Sequence, residues 1–238
     1  DVVLFFHDFL IEDHGNLVTC PSVSPENTYI LSNGTKGRAC AGSSIDTQIL
    51  RDLLEDYMKA SNILSIEDEY TKNTKRILEK LSPTKIGKYG QIMEWREDYD
   101  EAEPGHRHIS QLYALHPSHQ ITPDRTPELA VAAGKTLERR LQYGGGHTGW
   151  SCAWIVNFYA RLGNGNQAFK NLEKLWKQST FPNMMDSHPR GNGAVFQIDG
   201  NFGATAAIAE MLIQADENRI LLLPTLPDKW KSGSVSGL

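Results

Sequence analysis

Residues 188–214 read HPRGNGAVFQIDGNFGATAAIAEMLIQ. Polar, glycine-rich chain passes here directly into an apolar segment, which predicts a helix over 202–215. Asp199 and Asn201 stand at the junction, flanked by Gly200 and Gly203. An aspartate before Gly-Asn suits a turn and an N-cap. Asp199 also lies between Phe196, Ile198 and Phe202. A carboxylate wedged among apolar groups loses hydration unless donors compensate, and environments of that kind tune groups for acid–base work. Capping and chemistry are compatible roles.

The pattern around this stretch is helical. Residues 1–13 read as the tail of a helix, and 14–42 are polar and loop-rich. Ser43 or Ser44 can cap a helix in which Ile45, Ile49, Leu50, Leu53, Leu54, Tyr57 and Met58 share a face. Ser65, with Asp68 three residues on, predicts a second capped helix to about Leu81. Residues 84–125 form a long irregular segment rich in Trp, His, Arg and acids; a connection of that length is usually functional or disordered. TPELAVAAGKTLERRLQY (126–143) gives a helix with Thr126 as cap and Pro127 in its first turn. GWSCAWIVNFYARLG (149–163) is apolar nearly all round and should be buried on both sides. NGNQAFKNLEKLWKQS (164–179) returns to a one-sided pattern, and RILLLPTLPDKW (219–230) reads as a short strand or extended turn. Buried helices alternating with half-exposed ones suggest an inner ring packed inside an outer one.

Composition removes several classes. The 238 residues carry a formal net charge of −5 with Lys and Arg scattered, which argues against a nucleic-acid partner. No apolar run of membrane-spanning length occurs. Cys20, Cys40 and Cys152 lie far apart without CxxC spacing, so neither a disulfide scaffold nor a zinc ribbon is expected. Dinucleotide, phosphate-loop and nucleophile-elbow motifs are absent. Both ends look cut, and a fragment is expected.

Most acids fall on helix faces, where a solvated surface is the ordinary reading. Glu26 differs: it sits in SVSPEN (22–27), held by Pro25 among small polar groups. In HRHISQLYALHPSH (106–119), His106, His108, His116 and His119 could clasp zinc, yet no Cys and no HExxH glutamate completes a site, and no metal is expected. Arg107 beside His108 suits vicinal hydroxyls on a sugar ring. Trp95, Trp150 and Trp154 could offer a stacking platform, although Trp154, inside the apolar helix, reads better as core.

Four segments taken in order cover essentially the whole chain: LVTCPSVSPENTY, GHRHISQLYALHPSHQI, GWSCAWIVNFYARL, and FQIDGNFGATAAIAEMLIQ followed by ILLLPTLPDKW. Together they resemble glycoside hydrolase family 95, the α-L-fucosidase family. The resemblance implies an all-α fold, the C-terminal portion of a single (α/α)6 catalytic barrel over residues 1–238, with a short β segment near the C-terminus. It also implies inverting hydrolysis of terminal α-L-fucosyl residues from a glycan, with no cofactor. By the same resemblance Glu26 in SPEN is the general acid and Asp199 in QIDGN the general base. Arg107, His108 and His188 face the sugar by that resemblance, and an asparagine pair assisting the base lies upstream of residue 1; Asn201, at the same junction as Asp199, and Trp95, as a stacking platform, are further expected substrate contacts. The segment RGNGAV between HP and FQIDGNFG departs from the family pattern next to His188. An inverting pair should stand ~6.5–9.5 Å apart, with room for a water. Alternative expectations are an α-L-galactosidase, since L-galactose differs from L-fucose only by a hydroxyl at C6, and a non-catalytic carbohydrate-binding fragment. The 238 residues alone are expected to be inactive, because an incomplete ring leaves inner faces uncovered.

Overall fold

The computed structural model describes residues 1–190 and 193–237. Seven α-helices among these residues carry most of the regular secondary structure, joined by short antiparallel strands in two- and three-stranded sheets. The chain is therefore helix-rich rather than all-α. Strands of two to four residues leave too little periodicity to be read from sequence. Two compact units form, the first from Asp1–Glu103 and Ser110–Ala114, the second from Pro104–Ile109 and the chain from Leu115 on.

In the first unit, α1 (Val2–Phe9) leads into a hairpin of β1 (Ile11–Asp13) and β2 (Asn16–Val18). Strand β3 (Ser22–Val23) pairs with β6 (Ala39–Cys40), and β4 (Tyr29–Ile30) lies between β5 (Lys36–Gly37) and β7 (Asp100–Glu101). Helix α2 (Ser44–Ile63) is capped by Ser43, whose hydroxyl accepts the Asp46 N–H at 3.4 Å. Helix α3 (Glu69–Lys80) opens at Asp68 rather than Ser65. The Asp68 carboxylate accepts the Thr71 N–H at 2.9 Å while the Thr71 hydroxyl accepts the Asp68 N–H at 3.0 Å, a reciprocal box. Ser65 stands at φ 56, outside the helix. Val3, Leu17, Leu50, Leu54, Ile77 and Leu81 close the core of this unit. Leu50 and Leu54 reach it together because four residues return a helix to the same face.

The second unit holds α4 (Pro127–Gln142), α5 (Gly149–Arg161), α6 (Gly165–Gln178) and α7 (Ile198–Leu212). Two hairpins accompany them: β8 (Ser187–Arg190) with β9 (Gly193–Phe196), and β10 (Ile213–Asp216) with β11 (Arg219–Leu222). Thr126 does not cap α4 with its side chain; its hydroxyl accepts the Thr122 N–H at 2.9 Å instead. Helix α5 is buried on nearly every side, from Cys152 through Ala160. Contacts between α5 and α7 run in the same order along both helices, so the two are parallel. Gly203 accepts Asn157 Nδ2 at 3.1 Å, and Arg161 forks onto Glu210 at 2.6 and 3.0 Å. A Cβ at Gly203 would stand 2.9 Å from that of Ala153, which is why a glycine occupies the crossing. Helix α6 packs on α5 from another side, and its own buried face is Ala168, Leu172 and Leu175.

Candidate active site

In the first unit Glu26 rides on a tight turn. The Asn27 N–H donates to the Ser24 carbonyl at 3.1 Å, with Pro25 and Glu26 at the centre and the Glu26 side chain exposed. Proline suits the first central position because its ring holds φ near the value the turn needs. Ser24 and Asn27 are themselves buried, at 2% exposure each. Trp95, expected as a stacking platform, is 2% exposed and packs edge-on against Tyr29 at 5.7 Å between ring centres. A ring that enclosed offers no face to a sugar; its area goes to the core.

The second unit gathers Arg107, His108, Asp199 and Asn201 around the N-terminal ends of α5 and α7. The Ser151 hydroxyl, in the first turn of α5, donates to the Arg107 carbonyl at 2.6 Å. His108 meets Trp150 edge-to-face at 4.6 Å and stacks on His106 at 5.2 Å. Helix α7 starts at Ile198 with Gln197 as its cap, so Asp199 sits exposed within the first turn instead of capping it. A first-turn carboxylate faces the positive end of the helix dipole, worth ~0.3–1 kcal/mol. Asn201, expected against substrate, brackets the backbone: its Oδ1 accepts the Asp186 N–H at 2.8 Å and its Nδ2 donates to the Met184 carbonyl at 3.0 Å. The departing segment joins a hairpin in which His188 pairs with Val195, and residues 191 and 192 lie outside the described ones. His188 is half-buried, and its Nδ1 has no hydrogen-bond partner.

Sequence reasoning missed Asp186. Its carboxyl is fully buried at 0% exposure, and neither oxygen has a hydrogen-bond partner. A Cβ added at Gly149 would overlap Asp186 Oδ1, and one at Gly200 would overlap its Cγ. Glycine at both helix starts thus makes room for this one carboxyl. Burial pushes its pKa up to about 6; nearby Asp199 adds to the rise, while His188 and the Ser187 amide oppose it. That amide already donates to the Ser179 carbonyl at 2.9 Å. The available signal was MMDSHP (184–189), an acid among apolar and small residues two positions before His188.

The remaining histidines do different work. His116 packs edge-on against Trp154 at 5.6 Å, and burial, reinforced by Arg161, lowers its pKa to about 4. It is a neutral packing group. Among the described residues no three His, Cys, Asp or Glu stand together to hold a metal ion, and no helix is long and apolar enough to cross a membrane. A cavity of about 280 Å³ opens near the C-terminal end of α5, lined by His119, Asp124, Arg161, Asp216 and Arg219 among others. A helix of 13 residues puts about 20 Å between that cavity and Gly149. Its charged groups are paired with one another or with Glu210. The polar groups of the candidate site lie at the other end of the helix.

The first unit thus presents an exposed acid on a turn, and the second an exposed acid in the first turn of α7. The sequence of residues 1–212 matches the model of the glycosyl hydrolase family 95 catalytic domain, and the chain belongs to that family. It is 38% identical to "Alpha-L-fucosidase 2" of Arabidopsis thaliana over 98% of its own length and 28% of that protein's. It is 29% identical to "Probable alpha-fucosidase A" of Aspergillus niger over 94% of its own length and 29% of that protein's. The chain thus spans less than a third of the length of these relatives.

Proposed function

We propose that this chain supplies the acid and base of an inverting glycoside hydrolase that releases terminal α-L-fucosyl residues from glycans. Both units would belong to one catalytic domain built as a helical toroid. The names of the relatives, both α-fucosidases, support the substrate class. The parallel packing of α5 beside α7, with α6 on another side of α5, supports the toroid. One observation carries the chemistry: Asp199 is exposed in the first turn of α7, at the helix end where Arg107 and His108 are held by α5.

In this reading Glu26 protonates the leaving glycosidic oxygen. Asp199 removes a proton from water as that water attacks the anomeric carbon from the opposite face. Arg107 and His108 bind sugar hydroxyls, His188 borders them, and Asp186 lies behind Asp199 without touching the sugar. The test is the first-formed product, followed by proton NMR during turnover by the enzyme of full family length. Inversion delivers β-L-fucose, which then mutarotates; α-L-fucose as the first product would overturn the assignment. Two carboxyls found far outside ~6.5–9.5 Å of each other in a complex with fucose would do the same. Comparing aryl α-L-fucoside with aryl α-L-galactoside by kcat/KM decides the substrate.

A further inference from the structure

We infer that Glu94 is a positioning residue for Glu26, holding the turn from which the proposed general acid reaches its substrate. Glu94 is 5% exposed, in IMEW (92–95), and its two oxygens grip the two ends of that turn. The Ser24 hydroxyl donates to Glu94 Oε1 at 2.7 Å, and Asn27 Nδ2 donates to Oε2 at 3.0 Å. Ser24 and Asn27 are the first and last residues of the four-residue turn, so Glu26 is the residue the grip immobilises. Ser24 is fixed a second time, its hydroxyl 2.7 Å from that of Ser110. The base of the clamp is anchored as well: the Ser44 N–H, at the start of α2, donates to the Glu94 carbonyl at 3.1 Å.

A buried carboxylate loses hydration, and short hydrogen bonds from neighbouring groups are what make its burial tolerable. Here two such donors come from the side chains that bracket an exposed acid. A carboxylate accepts at both oxygens at once, which gives the turn two short anchors in one rigid plane. Glu26 must meet a leaving oxygen within hydrogen-bond reach, and a displacement of about 1 Å costs on the order of 10²-fold in rate.

The inference rests on the reading of Glu26 as general acid, and leaving-group dependence separates the two. In the enzyme of full family length, kcat is measured on a fucosyl disaccharide, whose leaving alcohol needs a proton, and on an aryl fucoside with an acidic phenol, which does not. Glu94→Ala is expected to lower kcat on the disaccharide by about 10²-fold, to change the aryl substrate by less than a few-fold, and to leave KM nearly unchanged. Glu94→Gln keeps an acceptor for Asn27 and a partner for Ser24, and should recover most of the loss. Ser24→Ala, a milder lesion in the same clamp, should show the same selectivity at smaller size. In a Glu26→Gln background Glu94→Ala should remove nothing further. Equal losses on both substrates, or an additive loss in that background, would overturn the positioning role. If Glu26→Gln itself shows no leaving-group dependence, the acid assignment fails, and the inference fails with it.

Discussion

Next to Glu26, the buried carboxylate of Glu94 accepts two hydrogen bonds; next to Asp199, the buried carboxyl of Asp186 accepts none and is squeezed between two glycines. The first arrangement satisfies its charge and so behaves as a rigid mount. The second leaves a desolvated acid at the point where two helices begin, so its protonation changes the energy of the fold. A turn of irregular backbone needs side-chain anchors to be stiff, because it has no ladder of its own. A helix start already has its direction set by the parallel packing of α5 and α7, and an unfavourable group can be carried there.

The largest expected effect breaks the comparison at its chemistry. With an activated aryl fucoside, Asp199→Asn should still lose about 10²–10⁴-fold in kcat, because water must always be deprotonated, whereas Glu26→Gln should retain most of its rate. Initial rates of the two variants check this, and similar losses for both would mean that their roles are not those assigned.

Next comes the glycine at the start of α5. Replacing Gly by Ala within a helix ordinarily stabilises by ~1 kcal/mol. At Gly149 the sign should reverse, with a loss of ~1–3 kcal/mol, because the new methyl overlaps Asp186. Chemical denaturation of Gly149→Ala measures it, and Gly149→Ala combined with Asp186→Ala should recover much of the loss.

The third effect is a pH dependence. The folded pKa of Asp186, about 6, exceeds its ordinary 3.8, so the native state holds this proton more tightly than the unfolded chain does. That stability is present below about pH 4 and is lost as pH rises through 6. Asp186→Asn should therefore raise the melting temperature at pH 7.5, by at most about 3 kcal/mol of stability, and should change it little at pH 4. Glu94→Gln should show no such gain at pH 7.5, since its parent carboxylate already has its donors. A gain equal to that of Asp186→Asn would erase the contrast between the two sites.

The smallest effect is expected at the far end of α5. Arg219 meets Asp124 at 2.6 Å and Asp216 at 3.2 Å on an exposed surface. Arg219→Ala should cost little stability, and less again in high salt. A larger loss would show that stability in the second unit is not concentrated around the buried starts of α5 and α7.

Local rules carried the sequence reading a long way. Leu50 and Leu54 announced the buried face of α2, Pro127 the start of α4, and the nearly all-apolar run from Cys152 to Ala160 the burial of α5 on nearly all sides. Glu26 and Asp199 stood out as acids in turn-forming contexts, and both are exposed. The order of motifs pointed to the family, and the match over residues 1–212 shows it. Boundaries were less legible. Ser65 offered the same chemistry as Asp68, and backbone geometry chose Asp68. Helix α7 starts at Ile198 because its first turn fits beside Asp186 through Gly200, a condition invisible in a window of neighbours.

What the sequence determined by itself were those features that follow from the spacing of residues along one segment: which helices exist, which faces are apolar, where turns fall. Tertiary structure decided what each polar group spends its bonds on. Trp95 became core, Asn201 a bracket for the backbone, Asp186 an acid without donors, and Glu94 the clamp of a turn 70 residues away from its hydroxyl partner Ser24. The physical reason is that hydration and hydrogen bonding depend on every atom within a few ångströms, and most of those atoms come from distant places in the chain.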